Sequence, residues 1–230
     1  MSYVIASSKD WFDMADRAEE FSALDFHLMR TREDLDPAIL EKLAPRFIFF
    51  VHWNWIVPPE IFERYACVVF HTAPLPFGRG GSPIQNLIVR GIDHAPVCAL
   101  KMTGTLDGGP IYASLDVALE GTIEQIFERI AAAVEQLILT IVRDEPTPVE
   151  QVGTPVYFKR RTPAESEIPS DCDLSAIYDR IRMVDGLDYP RAFVRLGSHR
   201  IEFFDASIQD GELLARVRII ENGYQTGDAE

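Results

Sequence analysis

Hydrophobic and polar positions along this chain follow two rhythms, one strand-like and one helical, and the switches between them mark out its elements. Tyr3-Val4-Ile5-Ala6-Ser7 is a short apolar run. It is followed by Ser8-Lys9-Asp10 and then by Trp11, Met14, Ala15 and Ala18 at helical spacing, which predicts a strand, a loop and a helix start. Phe26-His27-Leu28-Met29 predicts a second strand, with His27 as a packed or edge residue. Asp36-Pro37 opens a helix through Ile39, Leu40 and Leu43 that Pro45 ends. Arg46-Phe47-Ile48-Phe49-Phe50-Val51 is apolar almost throughout, the signature of a central strand buried on both faces. It runs into His52-Trp53-Asn54-Trp55-Ile56-Val57-Pro58-Pro59, at the strand end where open α/β sheets bind ligands. There Trp53 and Trp55 either face a ligand or cover the sheet edge.

Pro58-Pro59-Glu60 begins a short helix, and Ala66 to Thr72 forms the next strand. A helix from Pro83 to about Arg90 is closed by Gly91, and His94 falls in the polar turn before a strand at Pro96 to Met102. Another strand runs from Ile111 to Leu115. Thr122 and Gln125 form a capping box at the head of the longest helix, in which Ile123, Ile126, Phe127, Ile130, Val134, Leu137, Ile138 and Ile141 recur at helical spacing. Asp144-Glu145-Pro146-Thr147-Pro148 reads as a linker. Beyond it Asp173 caps a helix through Leu174, Ile177, Tyr178, Ile181 and Val184. Ala192 to Arg195, Arg200 to Ala206 and Leu213 to Ile220 alternate as short strands split by Gly197 and Asp210-Gly211. The expected fold is α/β, a Rossmann-like and mostly parallel sheet over residues 1–150, with a small C-terminal α+β subdomain, helix plus hairpin, over 151–230. The last ten residues read as disordered.

Composition narrows the partners. The 230 residues carry a formal net charge of −14, with a pI near 4.8 and a mean hydropathy of −0.01. Proteins that hold nucleic acid draw most of their affinity from Lys and Arg neutralising phosphates, so an acidic chain points to a small-molecule substrate and not to a nucleic acid. No apolar run approaches the roughly 20 residues that span a bilayer, and the N-terminus lacks a basic region followed by an apolar one. No membrane association is expected, and a cytoplasmic location is. Cys67, Cys98 and Cys172 show no paired spacing, so buried free thiols are expected in place of disulfides or a zinc ribbon.

The chemistry concentrates in Val68-Val69-Phe70-His71-Thr72-Ala73-Pro74-Leu75-Pro76-Phe77-Gly78-Arg79-Gly80-Gly81-Ser82-Pro83-Ile84-Gln85, where a strand runs into a stiff proline loop and a helix start. His71 is expected exposed at that junction. Gly78, Gly80 and Gly81 permit tight turns and close approach to a ligand. Ser82-Pro83-Ile84-Gln85 reads as a capping box that leaves free amides beside Arg79, a cradle for something anionic or carbonyl-like. Downstream, Leu106-Asp107-Gly108-Gly109-Pro110 places a carboxylate before a glycine pair between two apolar strands, where it can meet a loop histidine across a parallel sheet. Ser8 and Lys9 hold a phosphate or simply cap a helix, and Lys159-Arg160-Arg161, the one basic cluster, meets a diphosphate or is solvated.

"FHTAPLPFGRGGSPI" followed about thirty-five residues later by "LDGGPIY" resembles the formyltransferase family, which includes methionyl-tRNA formyltransferase, glycinamide ribonucleotide transformylase and the sugar N-formyltransferases. "YFKRRTPAESEI" and "YDRIRMVDGLDYPRAFV" look like the segments that follow the catalytic domain in the sugar and methionyl-tRNA enzymes, so the resemblance covers roughly residues 45 to 205. It is strongest toward enzymes that formylate nucleotide-linked amino sugars, of the pseudaminic acid type. The resemblance implies a homodimer and N10-formyltetrahydrofolate as cosubstrate, with no metal. It makes His71 and Asp107 the catalytic residues. It assigns cofactor contacts to Trp53, Asn54, Trp55, Ile56, Arg79 and Thr105, and substrate contacts to Ser8, Lys9, Gly80 and Gly81.

Formyl transfer requires a neutral nitrogen to attack the formyl carbon, an oxyanion to be held, and protons to move from the incoming to the leaving nitrogen. One imidazole serves the last two tasks when a carboxylate orients it and stabilises its protonated form. One departure from the family pattern stands out: the asparagine that the family places two residues before the histidine is Val69 here. Losing one oxyanion donor typically costs about 10²–10³ in rate. Asn54, Asn86 and Thr72 are the substitute candidates, with a backbone amide as a further option. The expected function is N-formylation of a nucleotide-linked amino sugar. A formyltetrahydrofolate hydrolase and a non-catalytic folate or nucleotide-sugar binding protein are the alternatives.

Overall fold

The computed structural model describes residues 1–9, 21, 23–186 and 189–221. The helix expected from Trp11 to Ala18 lies outside the described residues, as do 222–230 of the last ten residues expected to be disordered, whereas Glu221 ends a strand.

A six-stranded sheet runs through the main body: β1 (Ser2–Ala6), β2 (Asp25–Met29), β3 (Phe47–Phe50), β4 (Cys67–Thr72), β6 (His94–Lys101) and β7 (Ile111–Ala118), in the order β2-β1-β3-β4-β6-β7. The β1–β2, β1–β3 and β3–β4 pairs are parallel, whereas β6 is antiparallel to both β4 and β7. The sheet is therefore mostly parallel with one reversed strand. The reversal has a local cause. Between β4 and β6 the chain forms only the short strand β5 (Phe77–Gly80) and α3 (Pro83–Ile88), and it re-enters the sheet from the same end.

Side-chain alternation divides the core between the two faces. Tyr3, Ile5, Phe47, Phe49, Val51 and Val68 join one buried cluster, and Val4, Ala6, Ile48, Phe50 and Cys67 join the other. That is why the Phe47–Phe50 run needs no polar alternation: both of its faces are covered. The first face is covered by α3 and by the 22-residue α4 (Ile123–Asp144). Thr122 and Gln125 cap α4 reciprocally, as the sequence predicts. Each aliphatic side chain that α4 fully buries contributes about 1.5–3 kcal/mol. The other face is covered through Leu40 of α1 (Pro37–Leu43), capped by Asp36, and Ile61 of α2 (Pro59–Phe62).

The C-terminal part has α5 (Leu174–Arg182), capped by Asp173, and an antiparallel sheet ordered β11-β10-β9 from β9 (Phe193–Leu196), β10 (His199–Gln209) and β11 (Glu212–Glu221). Gly197 and Gly211 take positive φ at its two turns. This part does not stand apart from the main body. Ile181, Met183, Val184, Ala192 and Phe193 belong to the same buried cluster as α4, and β8 (Val156–Phe158) pairs in parallel with β5. The β5 strand, paired with β8, corrects the expectation that the stiff segment after His71 is loop throughout. No described helix is long and apolar enough to cross a membrane.

Candidate active site

Two expectations about the histidine need correction. His71 is not an exposed loop residue: it is the fifth residue of β4, paired with Cys98, and only 8% exposed. The carboxylate also does not reach it across a parallel ladder, since β4 and β6 are antiparallel. Asp107 instead comes from the turn between β6 and β7, where it takes a positive φ of 47°. The following glycines make that turn possible. A Cβ on Gly109 would stand 1.8 Å from the Lys101 carbonyl oxygen.

His71 and Asp107 nevertheless converge. His71 Nδ1 lies 3.5 Å from Asp107 Oδ2, with side-chain exposures of 7% and 13%. On the other side of the ring, Nε2 is 2.7 Å from the Gly78 carbonyl oxygen. A carbonyl only accepts, so this contact assigns a proton to Nε2. The doubly protonated ring could donate to both neighbours, and the neutral ring to only one. Asp107 is held in turn, because Oδ2 accepts from the Gly80 amide at 2.9 Å. Its backbone carbonyl accepts from Gln151 Nε2 at 2.9 Å, and the same nitrogen reaches the Gly109 carbonyl at 2.9 Å.

His71 lines a cavity of about 950 Å³, and Asp107 is not among the residues that line it. Asn54, Thr72 and Ser82 supply polar side chains to its wall, Phe70, Phe127 and Val134 supply apolar ones, and Arg160 and Arg161 line it as well. A mostly apolar cleft with a few convergent polar groups is the ordinary form of a small-molecule site.

A solved structure of methionyl-tRNA formyltransferase from Clostridium thermocellum matches 96% of this chain and 99% of its own, at 41% sequence identity and a TM-score of 0.86. This chain belongs to the formyltransferase family. The family model for the methionyl-tRNA formyltransferase C-terminal domain matches residues 163–220. The curated methionyl-tRNA formyltransferase of Francisella philomiragia is 29% identical over 202 residues, which is 82% of this chain and 64% of the relative. That of Rickettsia typhi is 33% identical over 144 residues, 60% of this chain and 48% of the relative. The chain thus spans about half to two thirds of the length of these curated relatives. The formyltransferase PseJ from Anoxybacillus kamchatkensis, solved with UDP-4,6-dideoxy-4-formamido-L-AltNAc and tetrahydrofolate, shares the fold at a TM-score of 0.55 and 19% identity, over 69% of this chain and 86% of its own.

Within this chain the glycine-rich stretch has a different job from the one its sequence suggests. The Gly80 amide is used by Asp107, and the Gly81 amide donates to the Phe158 carbonyl at 3.1 Å, so neither is free for a ligand. Ser82 sits at the head of α3 in a left-handed conformation, φ 48°, and its side chain caps nothing. Its hydroxyl accepts instead from the Arg161 amide at 3.1 Å, and Gln85 Nε2 donates to the Met183 carbonyl at 3.3 Å. The expected capping box does not form, because both side chains have tertiary partners.

Asn86 is likewise withdrawn from the donor candidates. Its Nδ2 donates to the carbonyls of Gly81, Ser82 and Lys159 at 3.0 to 3.1 Å. Asn54 and Thr72 remain on the cavity wall with His71, and neither side chain has a hydrogen-bond partner among the described residues.

Arg79 is only 8% exposed and its guanidinium grips Gln151 Oε1 through Nε and Nη2, at 3.1 and 2.7 Å, so it faces no anion. Trp53, Trp55, Ile56 and Thr105 do not line the cavity. Trp53 packs edge-on against Phe50 and Trp55, with centroids at 5.9 and 4.9 Å, while Ile56 is 92% exposed. Lys9 does line the cavity, whereas the Ser8 hydroxyl donates to the His52 carbonyl at 2.7 Å. Gln151 was not foreseen. It sits in a polar segment with no motif, and only its two carbonyl contacts reveal it.

Proposed function

We propose that this protein transfers a formyl group from N10-formyltetrahydrofolate to a primary amine, and that the amine belongs to a small nucleotide-linked amino sugar. The observation that carries the chemistry is the convergence of His71 and Asp107, at 3.5 Å, beside the 950 Å³ cavity. That contact is longer than a hydrogen bond, as such contacts often are before substrate arrives, and it can tighten on binding. In this reading Nδ1 of His71, the nitrogen that the Gly78 contact leaves unprotonated, takes the proton from the incoming nitrogen and returns it to the leaving one, and the positive charge of the doubly protonated ring stabilises the oxyanion. Asp107 orients the ring. Asn54 or Thr72 supplies the second oxyanion donor in place of the asparagine that Val69 replaces.

The small acceptor is supported by the net charge of −14, which opposes a polyanion, and by a ligand-sized cleft. A second reading, a methionyl-tRNA acceptor, is favoured by the 41% identity to a chain of that name and by the family model over residues 163–220. One assay separates them. Purified protein is given N10-formyltetrahydrofolate with a panel of nucleotide-linked amino sugars or with charged initiator tRNA, and tetrahydrofolate release is followed. Turnover with a sugar, lost by about 10²–10⁴ in His71→Ala, is the expected result. Release without any acceptor would reassign the protein as a hydrolase. Binding without turnover, indifferent to His71→Ala, would make it a non-catalytic relative. The homodimer implied by the resemblance and the cytoplasmic location expected from the sequence belong to the same reading.

A further inference from the structure

The short helix α3 is buried on most sides, with Ile84, Leu87 and Ile88 in the main core cluster, and two polar side chains, Gln85 and Asn86, stand among them. Asn86 commits its amide nitrogen to three backbone carbonyls. Gln85 is different. It is only 3% exposed, yet it lines the cavity that His71 lines. Its Nε2 lies 3.3 Å from the Met183 carbonyl oxygen, and because a carbonyl only accepts, that contact fixes which end of the amide is nitrogen.

The other end of the amide has no such partner. Gln85 Oε1 accepts no hydrogen bond among the described residues, and it is not sealed off from the cavity as the unpartnered Trp53 Nε1 and Tyr65 Oη are sealed in the core. A fixed acceptor in so buried a residue, open only to a ligand-sized cleft, is a place for a donor carried by the ligand. It is also neutral. Glu124 and Glu128 line the same cavity but are exposed on α4, and a carboxylate would favour the ammonium form of an amine, which has no lone pair with which to attack. A carboxamide can hold an amine without charging it.

We infer that Gln85 Oε1 receives one N–H of the acceptor's primary amine and so aims the nitrogen lone pair at the formyl carbon. The inference deepens the formyl-transfer reading and rests on it. A primary amine has two N–H bonds. As the nitrogen–carbon bond forms and the carbonyl π pair moves onto oxygen, one proton passes to His71 Nδ1, and the other stays on nitrogen in the formamide product. When the bond from carbon to N10 breaks, N10 takes the proton back from His71. Gln85 exchanges no proton. Positive charge builds on the attacking nitrogen before its proton leaves, so the hydrogen bond to Oε1 is stronger in the transition state than in the ground state.

Two variants of the full chain separate this role from the Met183 contact. Gln85→Met removes both the acceptor and the donor, whereas Gln85→Glu keeps an acceptor in either protonation state. Formylation is followed with N10-formyltetrahydrofolate and either a UDP-linked 4-amino sugar or charged initiator tRNA, and binding of the amino sugar and of its 4-hydroxy counterpart is measured by calorimetry. Gln85→Met should lower kcat/KM for the amine about ten- to a hundredfold, the usual scale for a hydrogen bond to a charged group, and Gln85→Glu should lose less than tenfold. Tetrahydrofolate affinity should stay within twofold in both. The parent protein should bind the amino sugar more tightly than the hydroxyl one, which has a single hydrogen to share between His71 and Gln85, and Gln85→Met should lose that preference. Thermal melting confirms that each variant folds, and Gln85→Lys, which keeps a donor for Met183 and removes the acceptor, replaces Gln85→Met if that variant does not. Equal losses in Gln85→Met and Gln85→Glu overturn the proposal, because Gln85 would then act only through Met183. Unchanged turnover in Gln85→Met overturns it too. A parent protein that formylates neither acceptor removes the proposed function, and the Gln85 assignment is then decided by the amine preference in binding, whose absence overturns it.

Discussion

The side-chain amide of Gln151 donates to the backbone carbonyl of Asp107 at 2.9 Å, tying the segment beyond the longest helix to the turn that carries the carboxylate. Arg79 holds the opposite end of the same amide. The aim of Asp107 at His71 thus depends on two side chains that do not themselves reach the ring. Gln151→Ala should lower kcat about ten- to a hundredfold, the usual scale for misplacing a catalytic group by a fraction of an ångström to an ångström, with little change in KM. Steady-state kinetics with a pH profile checks this. A purely structural role would lower the melting temperature and leave the shape of the profile unchanged.

Val69 and Asn54 make a linked prediction. Asn86 is committed to three carbonyls, so Asn54 is the asparagine still available on the cavity wall. Asn54→Ala should cost about 10²–10³ in kcat if it supplies the oxyanion donor. Val69→Asn should bring no gain to the parent protein, but it should recover part of the loss when combined with Asn54→Ala. A large gain from Val69→Asn alone would mean that the native site lacks the donor altogether.

Thiol chemistry should separate the cysteines. Burial pushes the Cys67 thiol up to about 12, and Cys98, buried but eased by a backbone hydrogen bond at Leu75, up to about 11. The thiolate is the reactive form, so both should resist a thiol reagent at pH 8 in the folded protein. Cys172, less buried, should react. Counting labelled thiols before and after denaturation gives one and then three.

Asp185 should make stability depend on pH. Its carboxyl is pushed above the usual carboxylate range, chiefly by burial, with Asp205 and Glu124 adding repulsion while the Asp205 amide and Arg191 oppose it. A carboxyl raised on folding binds its proton more tightly in the folded state. Its contribution is therefore present below the unfolded pKa and is lost as pH rises through the folded one. Asp185→Asn should keep the acceptor for the Asp205 amide, now met at 2.6 Å, and raise the melting temperature at pH 7. The advantage should vanish in acid, which melting curves from pH 3 to 8 would reveal.

Most of the element order was legible from the chain. The Phe47–Phe50 run reads as a doubly buried strand, and Thr122 with Gln125 reads as the head of α4, because side-chain periodicity and local capping act over a few residues. The pairing of His71 with Asp107 was legible only through family resemblance, since nothing local in either motif specifies the other.

What the sequence by itself determined is the set of strands, helices and turns and the residues that could do chemistry, because burial pattern and backbone preference are properties of neighbours in the chain. What only the tertiary structure decided is how the polar atoms of that set are used. Gly80 serves Asp107, Gly81 serves Phe158 and Ser82 serves Arg161 because buried donors and acceptors bond to whatever the fold brings beside them, and those partners lie 27 to 79 residues away in the chain.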